Sequence, residues 1–138
     1  MRRFFDTNVL VYLFDASAPK KKLRAQELLT DAVTAGLILL STQVLQEFFV
    51  VVTQKLAEPL AHEQAAQAVR DLSVLPMVQV DSGLILGAIA TMGRYKLSFW
   101  DSLIVQAAMH GGAAVLYTED LSHGQVIEGL TVENPFRN

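Results

Sequence analysis

Short apolar runs alternate with longer helical patterns along the chain, and this alternation restricts the fold more than any other feature of the sequence. In the longer patterns, apolar residues recur three or four positions apart, which is the spacing of one face of a helix. Strands that alternate with helices form a mostly parallel sheet covered on both faces. The sequence therefore predicts one domain, residues 1–138, with a three-layer α/β/α sandwich around a central, mostly parallel sheet.

The predicted strands are residues 3–5, 37–40, 77–80, 114–117 and a last short one at 131–133. The predicted helices are residues 21–35 with Gly36 as the stop, 42–55 after a cap at Ser41 or Thr42, 61–72, 83–95 after a cap at Ser82, and 99–110 after a cap at Ser98. In sheets of this kind, ligands bind beyond the carboxyl ends of the strands.

Composition agrees with a packed protein that works in a reducing compartment. Hydrophobic residues make up 51% and charged residues 18% of the chain, which argues against disorder. No apolar run approaches the ~18 residues that span a bilayer, so no membrane is expected. The absence of cysteine excludes disulfides and thiolate sites, and a cytoplasmic location is expected.

The net charge of -3 is unusual for a protein that binds nucleic acid. Acidic residues that are gathered to hold cations would explain it. Basic residues do cluster, at Lys20, Lys21, Lys22 and Arg24 and again at Arg94 and Lys96, but such a run is usually a solvated face.

Two aspartates follow predicted strands. Asp6 comes directly after Phe5, and Asp120 follows the strand 114–117. Carboxyl ends of parallel strands meet at one edge of a sheet, which would bring the two acids together. Each also has an ordinary structural interpretation, because Asp caps helices and initiates turns.

Two further acids lie on helix faces that are predicted to point inward. Glu47 shares a face with Val44 and Val51 in a helix that is apolar nearly all round, and such a helix is predicted to be buried. A carboxylate there is unfavourable unless it is paired, so Glu47 either reaches a salt-bridge partner or solvent, or belongs to a site. Asp101 also shares a face with apolar residues, yet Ser98 to Asp101 fits a capping box.

All four acids can converge on one edge of the sheet. Carboxylates at close quarters repel and take up protons unless a cation compensates. Oxygen ligands, with no Cys and no His at metal-ligand spacing, suit Mg²⁺ or Mn²⁺ rather than Zn²⁺. Such ions can activate a water and stabilise the leaving oxygen of a phosphodiester. We therefore expect Asp6, Glu47, Asp101 and Asp120 to bind metal and to be catalytic.

The remaining candidates are weaker. His123, three residues past Asp120, could support the site. Phe99 and Trp100 could stack nucleic-acid bases, but a buried aromatic residue beside a helix cap is the more typical interpretation.

Four short motifs occur in order along essentially the whole chain. They are Phe-Phe-Asp-Thr-Asn-Val-Leu at 4–10, Gln-Glu-Phe at 46–48, Phe-Trp-Asp-Ser-Leu-Ile at 99–104 and Leu-Tyr-Thr-Glu-Asp at 116–120, followed by Asn-Pro-Phe at 134–136. In these motifs the chain resembles the PIN-domain nucleases, and among them the VapC-type toxins of bacterial toxin–antitoxin pairs.

The resemblance implies a fold and an activity. The fold is the α/β/α sandwich already predicted, and the activity is RNA cleavage that depends on Mg²⁺ or Mn²⁺, by a homodimer that a small antitoxin protein inhibits. The family's acids correspond to Asp6, Glu47, Asp101 and Asp120.

The same resemblance assigns supporting roles. Thr7 and Asn8, the small polar residues after the first acid, would orient the carboxylates. The capping box separately predicts that Ser98 supports Asp101 from the helix cap. Glu119 departs from the family's pattern as an extra acid. The family's acid stands two residues after Thr or Ser, which selects Asp120, so Glu119 is expected to support the site or to lie on the surface.

Two other functions stay open. The first is a non-catalytic PIN-like protein that binds RNA or protein, although retention of all four acids argues against it. The second is a metal-dependent phosphatase of another α/β family. Those that use a phospho-aspartate need a second Asp two residues after the first, where this chain has Asn8.

Overall fold

The computed structural model describes residues 1–137 and contains the expected alternation of strands and helices. The strands are β1 (Arg2–Phe5), β2 (Ile38–Ser41), β3 (Met77–Val78), β4 (Ala113–Tyr117), β5 (Val126–Ile127) and β6 (Leu130–Glu133). The helices are α1 (Thr7–Tyr12), α2 (Pro19–Ala35), α3 (Thr42–Gln54), α4 (His62–Ser73), α5 (Ser82–Tyr95) and α6 (Phe99–His110).

The six strands form one sheet in the order β3-β2-β1-β4-β6-β5. Every neighbouring pair is parallel except β5 and β6, which form an antiparallel hairpin. The central strands β1 and β2 supply much of the core, since Phe4, Phe5 and the whole of β2 are buried.

The strand order places helices on both faces of the sheet. Connections between parallel strands are almost always right-handed. The steps from β1 to β2 and from β2 to β3 run in one direction, so α1 to α4 cover one face, and the return step to β4 places α5 and α6 on the other. The helix contacts agree, because α1 packs against α2 and α3, α3 against α4, and α5 against α6. The predicted three-layer α/β/α sandwich is confirmed.

Most predicted boundaries agree with the structure to within one or two residues. Gly36 ends α2 as predicted, in a left-handed conformation with φ of +70° that favours glycine. Gly111 follows α6 where a Cβ would collide with Leu39, so the end of this helix approaches β2 closely. No helix within residues 1–137 has both the length and the apolarity needed to cross a membrane.

Some details were predicted wrongly. The cap of α5 is Asp81 rather than Ser82, because the helix starts one residue earlier and the Asp81 carboxylate accepts from the Leu84 N–H at 2.9 Å. The third strand ends at Val78, two residues before the predicted end. Helix α1 and strand β5 were not predicted, since neither is long enough to show periodicity.

The order of the strands creates an opening beside β1. The chain leaves β1 towards β2 on one side, whereas β4 lies on the other, so the direction of winding reverses between β1 and β4. Ligands of open α/β sheets bind at the carboxyl ends of the strands at such a point. Asp6 and residues 118–120 directly follow these two strands.

Candidate active site

A cleft of about 380 Å³ lies beyond the carboxyl ends of β1 and β4, and its wall contains all four predicted acids. Asp6 follows β1, Glu47 lies in α3, Asp101 in the first turn of α6, and Asp120 after β4. The fold thus brings to one cleft four carboxylates that are far apart in the sequence.

Asp6 is buried, with 5% of its surface exposed, and both of its carboxylate oxygens accept hydrogen bonds. Oδ1 accepts from the backbone N–H of Thr7 at 2.7 Å, and Oδ2 accepts from the Thr118 hydroxyl at 2.8 Å. The first bond caps α1. The capping interpretation of Asp6 is therefore correct, and it does not exclude a role in the cleft.

The pKa of Asp6 is raised from 3.8 to about 7, mainly by burial and to a smaller extent by the charges of Asp120 and Glu47. The hydrogen bonds from Thr118 and Thr7 oppose this rise. Asp6 is therefore a carboxyl group whose ionised form is unfavourable until a positive charge approaches.

Asp101 has a milder form of the same environment. Burial raises the pKa of its carboxyl, the charge of Asp120 adds to the rise, and a hydrogen bond with Ser98 partly offsets it. The Ser98 hydroxyl also accepts from the Asp101 N–H at 3.1 Å, which makes Ser98 the cap of α6 as predicted.

Thr118 joins several parts of the cleft and was not singled out from the sequence. It is fully buried, and its hydroxyl donates to Asp6 while it accepts from the side chain of Asn8 at 3.2 Å and from the Asp120 N–H at 3.1 Å. The available signal was a small polar residue between a buried strand and an acid.

Thr7 and Asn8 each contact a different acid. The Thr7 hydroxyl donates to Oε1 of Glu47 at 2.9 Å, and Nδ2 of Asn8 donates to Oδ2 of Asp120 at 3.0 Å. Glu47 is half-buried, so its carboxylate is neither enclosed in the core nor fully exposed to water. These contacts support the orienting role expected of Thr7 and Asn8, which stays a prediction.

Glu119 lies outside the cleft wall and belongs to a group of side chains that meets the wall at Tyr12. Its carboxylate accepts from the Tyr12 hydroxyl and, at 3.1 Å, from Nζ of Lys21. Nζ of Lys21 lies 4.8 Å from the centre of the Tyr12 ring and 5.6 Å from that of Phe136. We call these four residues the lysine cluster.

The four acids supply the oxygen ligands that a hard divalent cation prefers, but their side chains do not yet form a complete coordination site. Within residues 1–137, no three acidic or histidine side chains are close enough to surround one ion as they stand. Glu47 and Asp101 are half-buried and Asp120 is exposed, so these side chains have room to shift towards an ion. The raised pKa of Asp6 shows that added positive charge would relieve an unfavourable arrangement.

Other polar residues of the cleft wall were missed, namely Tyr12, Asp15, Gln43 and Lys55, whereas Trp100 also lines the wall and was considered for base stacking. The expectation that Trp100 is buried was wrong, because 62% of its surface is exposed and Phe99 takes the inward position beside it. Helix α3 is likewise not buried all round, since 43% of Val50 is exposed.

His123 lies outside the cleft wall. Its Nδ1 accepts from the backbone N–H of Asn134 at 3.0 Å, which connects it to the segment after β6 instead.

Comparison with known proteins identifies one family whose model matches this chain. The family model of the PIN domain matches residues 3–127. A search of curated proteins by sequence gave no significant match.

Similar folds occur among solved structures. A toxin–antitoxin complex from Klebsiella pneumoniae superimposes with a TM-score of 0.71 at 21% identity, over 99% of both chains. VapC20 of Mycobacterium tuberculosis, described as a toxin that cleaves the sarcin–ricin loop, gives 0.67 at 21% identity, over 86% of this chain and 89% of that one. DNA-bound VapBC from Salmonella typhimurium gives 0.67 at 19% identity, over 96% and 97%.

Proposed function

Because the chain belongs to the PIN-domain family, we propose that it is a metal-dependent endoribonuclease that hydrolyses phosphodiester bonds of RNA. The observation that carries the proposal is the convergence of four carboxylates on one cleft at the switch point of the sheet. Residues 1–138 would form a single nuclease domain, with a cytoplasmic location.

Asp6, Glu47, Asp101 and Asp120 would hold Mg²⁺ or Mn²⁺. The bound ion would supply positive charge that polarises the phosphodiester and lowers the pKa of a water. The protein's own contribution is to hold the acids in place. Thr118 donates to Asp6, Thr7 to Glu47 and Asn8 to Asp120, and these hydrogen bonds would orient the carboxylates towards the ion.

We further propose that the protein is the toxin of a type II toxin–antitoxin pair. Solved structures of the same fold include toxin–antitoxin complexes, which supports a small antitoxin protein as partner. The working form that we propose is a homodimer, as the resemblance to VapC-type toxins implies. An antitoxin would inhibit by placing a basic side chain near the acids, where it makes a charge-assisted hydrogen bond. Light scattering that shows a monomer at all concentrations would contradict the dimer.

The proposed activity is tested with purified protein, single-stranded RNA and Mg²⁺ or Mn²⁺. We expect endonucleolytic fragments that disappear when a chelator is added. Undiminished cleavage in excess chelator would contradict metal dependence. Asp101→Asn should lower the rate by more than ~100-fold, beyond the usual effect of losing a residue that only orients a ligand.

A matched control is Asp81→Asn, because Asp81 caps α5 outside the cleft wall and Asn is an equally good cap. It should leave the rate unchanged. A chromogenic phosphate ester in the same buffer separates the phosphatase alternative. RNA binding without cleavage would indicate the non-catalytic alternative.

A further inference from the structure

A second cavity, of about 430 Å³, continues the acidic cleft along α3. The two share Gln43, Glu47, Val51, Lys55 and Trp100 in their walls, so they form one continuous groove. Asp6, Asp101 and Asp120 line the first cavity alone, whereas Trp100 and Lys55 lie where the two cavities meet.

The indole of Trp100 is exposed and contacts one neighbouring ring, and a hydrogen bond anchors the backbone that carries it. The ring of Phe99 lies nearly perpendicular to it, with 5.2 Å between the ring centres. The backbone carbonyl of Trp100 accepts from Nε2 of Gln43 at 3.2 Å. An exposed aromatic side chain that is held in place loses little conformational freedom when a flat ligand stacks on it.

Lys55 gives the groove its positive charge. It is exposed and is the only Lys or Arg in the walls of these two cavities, among the residues that the structure describes. The other charged side chains in the groove walls are acids, so a phosphate that enters the groove would be drawn to Lys55.

We propose that Trp100 and Lys55 form a nucleotide subsite, in which one base of single-stranded RNA stacks on Trp100 and a neighbouring phosphate pairs with Lys55. The substrate class rests on the proposed function. Trp100 and Asp101 both line the acidic cleft, so a base stacked on Trp100 belongs to a nucleotide close to the phosphate at the acids. Every base has a π face, so this subsite accepts all four bases, and purines bind more tightly than pyrimidines because they stack more strongly.

Intrinsic fluorescence tests the subsite directly, because Trp100 is the one tryptophan of the chain. The experiment uses the Asp6→Asn variant in the presence of Mg²⁺, and gels check that the RNA stays intact. We expect single-stranded RNA to quench the fluorescence, whereas an abasic ribose-phosphate oligomer of the same length does not. Unchanged fluorescence with RNA bound would overturn the stacking.

Substitutions measure how much the subsite contributes, with labelled RNA followed by anisotropy in the same background. Trp100→Leu should weaken binding about 5- to 100-fold, the range of aromatic stacking on one base, and Trp100→Phe should restore most of it. Lys55→Gln should weaken binding and reduce its salt dependence, whereas Lys20→Gln, a change of an exposed lysine outside the groove, should not.

The outcomes separate this subsite from the proposed function. RNA cleavage with wild-type affinity in Trp100→Leu would overturn the subsite and leave the nuclease intact, and would favour a protein partner on this aromatic face. RNA binding that depends on Trp100, without metal-dependent cleavage by the wild type, would support the subsite and overturn the nuclease. A wild type that neither binds nor cleaves RNA would overturn both.

Discussion

Glu119 and Asp120 are neighbours in the sequence, but they belong to two regions that treat negative charge in opposite ways. In the lysine cluster, Glu119 accepts hydrogen bonds from Lys21 and Tyr12, so its charge is compensated within the protein. In the cleft, Asp120 receives a bond from the neutral side chain of Asn8 and raises the pKa of Asp6. The first arrangement stabilises the fold, whereas the second leaves unfavourable charge that a ligand can relieve.

The largest expected effect is on the free energy of unfolding, through the ionisation of Asp6 in the cleft. Because the pKa of Asp6 is about 7 in the folded protein, against 3.8 for an unperturbed aspartate, folding favours the protonated form. This favourable contribution is complete below pH ~4 and is lost as the pH rises through 7. Asp6→Asn cannot ionise, so without metal it should exceed the wild type in stability by up to about 4 kcal/mol above pH 7.

Denaturant unfolding of both proteins between pH 4 and 8, in chelator, measures this difference. Asp81→Asn is the control and should track the wild type across the range. If the difference in unfolding free energy between Asp6→Asn and the wild type does not increase with pH, the ionised carboxylate of Asp6 does not destabilise the folded protein. Addition of Mn²⁺ should stabilise the wild type more than Asp6→Asn.

The next comparison is between the two neighbouring acids themselves. Asp120→Asn should reduce activity or Mn²⁺ affinity by about 100-fold or more, since losses beyond ~10–100-fold mark a ligand rather than its support. Glu119→Gln should keep metal affinity close to wild type, because its carboxylate faces Lys21. Calorimetric Mn²⁺ titration of the two variants tests this, and the reverse ranking would move the site by one residue.

A smaller effect is expected where a neutral hydroxyl supports the acids. Thr118→Val has the same shape but cannot donate to Asp6 or accept from Asn8. We expect a loss of ~1–3 kcal/mol of stability and ~10–100-fold in metal affinity. Thr118→Ser keeps the hydroxyl and should recover most of the stability and of the metal affinity. If it recovers neither, the effect of Thr118→Val comes from lost packing.

The smallest effect belongs to the compensated region. Lys21→Met removes the charge beside Glu119 but keeps a long side chain over the Tyr12 ring. Since 43% of the Lys21 side chain is exposed, the ion pair should contribute only ~0–1 kcal/mol. Thermal melting measures the stability of Lys21→Met, with Lys20→Met as the control. A loss of stability well above this range would mean that the lysine cluster contributes strongly to the stability of the fold.

The sequence was sufficient for the fold and for the position of the acids, because both depend on local pattern. Asp6 and Asp120 directly follow apolar runs, and Glu47 and Asp101 lie on apolar helix faces. The fold class is confirmed, while the roles of the four acids stay predictions.

The sequence was insufficient where a residue's role depends on a distant partner. Thr118 looks like an ordinary residue after a strand, and its contact with Asp6 has no local signature. Trp100 was misjudged because apolar character predicts burial, whereas its exposure depends on Phe99 occupying the inward position. Asp81 and Ser82 are both good caps, so composition alone could not choose between them.

The hydrogen bond from Thr118 to Asp6 joins positions 112 residues apart, which has a consequence for how the protein is made. Chains grow from the amino terminus at roughly 5–20 residues per second, so Asp6 emerges on the order of ten seconds before its partner exists. Throughout that interval the growing chain lacks Thr118 and Asp120, although it is surrounded by the RNA of the ribosome. A nuclease built in this way becomes active only after residues 118–120 have been made.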